Sequence, residues 1–144
     1  MKGSTDMNDL TASLVAKIKD SGLKPTAQRL DILEYLHTTE NFQSVEQIYD
    51  NLYREYKVFS KATIYATLDA FVLAGLVKRF FGKHGEARID YIVDDSAYFL
   101  CVDCGNINRV KVNCLDADID KSKVDVQSSL LTYWGVCEDC KEKL

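Results

Sequence analysis

Ser60-Lys-Ala-Thr-Ile-Tyr-Ala-Thr-Leu-Asp-Ala-Phe-Val-Leu-Ala-Gly75-Leu-Val-Lys-Arg-Phe-Phe-Gly-Lys-His-Gly85 is the stretch that decides how this chain folds. Its first part has helical spacing. Ser60 is a good N-cap, Ile64, Leu68, Phe71 and Val72 fall on one side, and Gly75 is a natural terminator. The pattern then switches to period two. Leu76 to Phe81 reads as a strand, Gly82-Lys-His-Gly85 as a turn, and Ala87 to Val93 as the returning strand. A helix that runs directly into a hairpin, with more helices before it, is the winged helix-turn-helix arrangement. Its last helix enters the major groove.

The segments upstream agree. Asn8 to Asp20 carries Leu10, Leu14, Val15 and Ile18 at helical spacing, stopped by Gly22. Pro25-Thr26 opens a second helix, with Thr26 as N-cap and Leu30, Leu33 and Leu36 inward. Ser44-Val-Glu-Gln47 is a capping box opening a third helix. There Val45, Ile48, Tyr49, Leu52 and Tyr56 follow the apolar repeat.

A second unit follows Asp94-Asp95-Ser96. Tyr98 to Val102 and Ile107 to Val112 are expected strands around a turn at Asp103-Cys-Gly-Asn106. Leu115 to Val126 is expected to be a short helix, and Leu130 to Val136 a third strand. The division predicted is residues 1–93 and 94–144, an α+β chain of two parts. The second has about 50 residues, too few for a robust solitary core. It needs a staple.

Two CxxC pairs supply one: Cys101-Val-Asp-Cys104 and Cys137-Glu-Asp-Cys140. A two-residue gap lets both thiolates of a pair face one cation, and two pairs close a four-sulfur shell. Such a shell leaves no position open for substrate, which makes it a structural zinc site, one ion per subunit. The competing reading is a pair of disulfides. The polar start, Met1-Lys-Gly-Ser-Thr-Asp6, and the lack of a membrane-length apolar run point to the cytoplasm, where thiols stay reduced. Cys114 is left over, as a redox group or as a small half-buried hydrophobe.

The chain of 144 residues has net charge −4 and 28% charged residues. The acidity is uneven: residues 1–93 hold 12 basic and 12 acidic side chains, whereas residues 94–144 hold 6 and 10. Only a local basic face is needed for duplex DNA, because phosphate contacts act at short range. Ser60, Lys61, Thr63 and Tyr65 open the helix that would enter the groove, with chemistry suited to phosphates, guanine and thymine methyls. Lys24 and Arg29 are candidate phosphate contacts, and Lys83 and Arg88 candidate contacts of the hairpin. A capped surface helix with a buried Tyr65 is the plainer reading of the same residues. No glycine-rich phosphate loop and no Ser/His/Asp or Cys/His set suggests an enzyme.

With these pieces in place, the chain resembles the ferric uptake regulator (Fur) family, particularly its peroxide-sensing branch. The likeness lies in Gly22-Leu-Lys-Pro-Thr-Ala-Gln-Arg29-Leu-Asp-Ile-Leu33, in Ser44-Val-Glu-Gln-Ile-Tyr49, in Ser60 to Leu68, and in Tyr133-Trp-Gly-Val-Cys-Glu-Asp-Cys140. It implies a homodimeric, DNA-binding repressor with a winged helix and a zinc-stapled dimerisation domain. Ala66 stands where relatives often carry Arg or Asn, which bears on the operator.

The resemblance also implies a second, regulatory iron or manganese site, and here the chain departs. Histidines are expected where it has Phe42, Ser96 and Tyr98, and an acid where it has Arg109; only Asp90 matches. One carboxylate cannot hold such an ion, and a guanidinium repels it. Neither His37 nor His84 matches a family ligand. Two expectations follow: an Arg109–Asp90 ion pair in place of the metal, or a signal acting on sulfur at Cys114. A zinc-stabilised protein-binding module is the alternative to a DNA-binding regulator.

Overall fold

A computed structural model describes residues 2–39, 42–56, 59–91, 96–113, 118–126 and 129–143, with side chains from residue 8 onward, Ser96 excepted. Four helices come first: α1 (Lys2–Asp20), α2 (Ala27–Thr38), α3 (Val45–Tyr56) and α4 (Lys61–Leu73). The caps form as their residues dictate. Thr26 accepts from the Arg29 N–H, and Ser60 Oγ accepts from the Thr63 N–H. The capping box is reciprocal: Gln47 N–H donates to Ser44 Oγ at 3.2 Å and Ser44 N–H donates to Gln47 Oε1 at 2.9 Å. Replacing Ser60 by Ala is expected to lower stability by about 1 kcal/mol, read as a lower urea midpoint. An unchanged midpoint would show that the cap contributes nothing.

α4 ends in a Schellman turn, with Gly75 at φ 75° and the Leu76 N–H donating to Phe71 O at 2.9 Å. The chain then enters the hairpin of β2 (Val77–Phe81) and β3 (Ala87–Tyr91), paired from Val77↔Tyr91 to Phe81↔Ala87. A short strand that sequence periodicity did not reveal, β1 (Gln43–Ser44), pairs with the other edge of β3. Two residues are too few for a pattern. All four helices press apolar side chains onto this sheet in one core, including Leu14, Ile18, Leu33, Ile48, Leu52, Ile64, Phe71 and Ile89.

The second sheet has the order β5-β4-β6, from β4 (Ser96–Cys101), β5 (Ile107–Lys111) and β6 (Thr132–Gly135). β5 is antiparallel to β4 and β6 parallel to it. A parallel return needs a long crossover, which residues 112–131 supply. Of the helix expected from Leu115 to Val126, none forms over the described residues 118–126. Residues 115–117 lie outside the described residues, and residues 118–126 contain a turn and no helix. Asp120 Oδ1 accepts from the Ser122 N–H at 3.0 Å, a local bond that competes with helix formation. Ile119, Val124 and Val126 are exposed, so this stretch has no apolar face to bury. A short α5 (Glu138–Glu142), unforeseen in the sequence, follows Cys137.

Candidate metal centre and DNA-facing helix

Cys101 ends the buried central strand β4, Cys104 lies in the turn after it, Cys137 caps α5 and Cys140 sits inside that helix. The turn is made possible by Gly105 at φ 80°. These elements bring all four sulfurs within 4.8 Å of one another, as unlinked thiols. Cys104 Sγ lies 3.7 Å from Cys137 Sγ. Four sulfurs at about 2.3 Å from a tetrahedral ion would be about 3.8 Å apart, so the donor set fits zinc. The backbone supports the charge. Cys101 Sγ accepts from the Cys104 and Cys137 N–H groups at 3.5 and 3.4 Å, and these bonds hold its thiol down at about 6. The neighbouring Cys137 sulfur and then burial push Cys140 up to about 12. An ion captured here would find one thiolate ready and displace protons from the rest. Among the described residues, no other set of three or more His, Cys, Asp or Glu converges. Cys114 lies outside the described residues.

In the first half of the chain, α4 presents its N-terminus. Tyr65 is 44% exposed, against the reading of a buried tyrosine, and Lys61 is exposed beside it. The Thr63 and Ser60 hydroxyls are 2.9 Å apart, so both are occupied in capping. Lys61 is folded back: its Nζ lies 2.9 Å from Glu46 Oε2 and over the Tyr49 ring. Arg29 donates to Lys24 O at 2.8 Å, and Lys24 itself is exposed. Lys83, at the hairpin tip, donates to Asp103 O in the cysteine turn. Arg88 points inward, donating to Glu86 at 3.1 Å and to Phe42 O at 3.1 Å. Arg88 thus ties β3 to the residue before β1 and, through Gln47 Oε1 at 3.4 Å, to the first turn of α3. A phosphate must displace Glu46 to reach Lys61. Changing Glu46 to Gln is therefore expected to raise affinity for a random-sequence duplex roughly twofold to fivefold. Fluorescence anisotropy at low and moderate salt measures this, and an affinity equal to wild type would remove Lys61 from the contact surface.

A third cluster joins the two sheets. Asp90 on β3 is buried; its Oδ1 is 2.6 Å from Arg109 NH2 on β5 and its Oδ2 accepts from Tyr98 Oη on β4 at 2.5 Å. The expected Arg109–Asp90 pair is therefore formed. Phe42 lies edge-on to Tyr98 and under the Arg109 guanidinium. Phe80 stacks on Tyr98 at 4.5 Å, and Lys78 Nζ lies over the Tyr98 ring, 5.7 Å from its centroid. Sequence reasoning missed Phe80 and Lys78, which look like ordinary strand residues. A cavity of about 470 Å³ opens beside the cluster, lined by His37, Phe42, Asp90, Tyr91 and Arg109 among others. His37 packs against Tyr91 at 4.9 Å. The Ser96 side chain is outside the described set.

A winged helix joined to a small sheet with a four-cysteine centre defines the class as a DNA-binding regulator of transcription, not an enzyme. The ferric uptake regulator family profile matches residues 20–133, and the chain belongs to that family. It is 34% identical over 137 residues to the ferric uptake regulation protein of Neisseria meningitidis serogroup C, covering 91% of this chain and 95% of the relative. It is 31% identical over 132 residues to the peroxide operon regulator of Bacillus subtilis, covering 88% and 90%. Among solved structures it is similar to the Vibrio cholerae ferric uptake regulator (TM-score 0.60, 27% identity, covering 85% of this chain and 98% of that one). It is likewise similar to the Pseudomonas aeruginosa regulator solved with manganese (TM-score 0.65, 26% identity, 85% and 96%). Among the described residues, no helix is long and apolar enough to cross a membrane.

Proposed function

We propose that this chain is a cytoplasmic, homodimeric, sequence-specific DNA-binding repressor with one structural zinc ion per subunit at Cys101, Cys104, Cys137 and Cys140. Residues 1–93 form the DNA-binding domain and residues 94–144 the dimerisation domain. The observation that carries the reading is the capped N-terminus of α4, with Lys61 and Tyr65 exposed beside the hairpin. Lys24 supplies a phosphate contact around it directly, and Arg29 and Lys83 do so once the duplex displaces their internal carbonyl acceptors. Edge strand β6 exposes Tyr133 and Trp134, 53% and 66% accessible, and a second subunit would cover them. Paired α4 helices then straddle successive major grooves.

The regulatory iron or manganese site expected of the family is degenerate in this reading. Of its expected ligands only Asp90 is present, and both its oxygens are already engaged. The signal therefore acts elsewhere, on cysteine sulfur including Cys114, or the protein binds constitutively. The test is selection of duplexes from a random pool by the zinc-loaded protein, followed by gel shift across salt concentrations and metal analysis. A palindromic site, a steep salt dependence and one zinc per chain are expected. A monomer with no preference among sequences would refute the assignment.

A further inference from the structure

We infer that Arg109 is a built-in cation that fastens the DNA-binding half to the second sheet, so that the two halves close without a divalent ion. The inference deepens the proposed function and rests on its reading of the regulatory site as degenerate.

The geometry begins with strand register. Tyr98 and Arg109 are directly opposite each other on β4 and β5. Their side chains form a two-pronged donor whose prongs are placed by the sheet itself. Asp90, on the hairpin of the other half, offers one oxygen to each prong. Its side chain is only 8% exposed, so both lone-pair directions depend on these donors and not on water. Burial followed by the Asp90 carboxylate pushes the Tyr98 phenol well above its ordinary range, which keeps its proton in place for donation.

Aromatic packing makes the joint rigid. Phe42 and Phe80 come from the DNA-binding half, and Tyr98 of the second sheet is wedged between them, stacked on one and edge-on to the other. The guanidinium also lies over Phe42, 5.6 Å from the ring centroid. A divalent cation does not fit. The single carboxylate is doubly engaged, a protonated phenol is a poor ligand, and Arg109 and Lys78 both place positive charge around the spot. Arg109 acts through Asp90 and touches no DNA, so its role is positioning. It sets the angle at which α4 is held relative to the dimerising sheet.

The experiment uses the full-length, zinc-loaded protein and two readouts: the radius of gyration from solution X-ray scattering, and affinity for a duplex selected by the wild type. Neither readout of the wild type is expected to change with added manganese. Arg109→Ala is expected to expand the particle with zinc content and dimer mass unchanged. Its duplex affinity should fall about tenfold or more, because the buried Asp90 carboxylate loses its counter-charge and keeps only the Tyr98 donor, which weakens the joint that sets α4. Arg109→Lys should restore part of the loss, and Tyr98→Phe should lie between Lys and wild type. If Arg109→Ala fails to fold, the pair Asp90→Asn with Arg109→Met leaves no orphan charge and should fold while still scattering as the open form. Wild-type scattering in every variant, or compaction of the wild type by manganese, would overturn the clamp. Failure to bind any duplex would sink the proposed function alone, since scattering still reports closure.

Discussion

Cys101→Ser is expected to yield protein without its metal, monomeric, and with the second sheet unfolded while the first half still melts cooperatively. Cys101 is fully buried at the end of the central strand β4, and its sulfur accepts two backbone N–H groups from the knuckle and from α5. A serine oxygen is shorter, harder and protonated at neutral pH, so it neither reaches nor charges the centre. Structural zinc sites contribute apparent binding energies of about 10–16 kcal/mol near neutral pH, more than a unit of about 50 residues can supply from its own core. The sheet shows why: β5 is largely exposed and β6 presents two aromatic rings to solvent. Elemental analysis, native mass and a two-step melting curve report the three consequences. A dimer that retains its melting profile without metal would mean that packing, not the ion, holds this half together.

Phe71→Ala is expected to lower global stability by about 3–5 kcal/mol, a large share of the roughly 5–15 kcal/mol available to a domain. Phe71 is 0% exposed on the inner face of α4, and its carbonyl accepts from Leu76 where the helix turns into β2. Its ring therefore sets the seat of the helix whose other face carries Lys61 and Tyr65. A cavity there loosens α4, the helix proposed to enter the groove, even in molecules that remain folded. Urea unfolding should show a lower midpoint at unchanged slope, and duplex affinity should fall with it. Stability near wild type would place Phe71 at a site that collapses freely around the loss.

Much of this was legible along the chain because the signals are local. Ser44 and Gln47 are three residues apart, and Ser60 precedes its helix by one residue, so both caps close within a single turn. The CxxC spacing likewise states its geometry in four residues. The stretch from 115 to 126 misled for the same reason. Its polar composition allows a helix, but Asp120 and Ser122 satisfy each other locally and no neighbouring surface rewards an apolar face. β1 was invisible because two residues have no period, and its existence depends on the free edge of β3.

The domain joint shows the limit most clearly. Asp90 and Arg109 were matched as charges of opposite sign at corresponding positions, whereas Tyr98 looked only like a lost ligand. That Tyr98 donates to Asp90, stacks on Phe80 and stands opposite Arg109 depends on the register of one sheet and its approach to another. Periodicity, caps and cysteine spacing determined the winged helix, the two-part plan and the four-sulfur centre, because each acts over a few residues of backbone. Which donors converge on a buried carboxylate was decided only by tertiary structure, since sequence neighbours do not control distances between sheets.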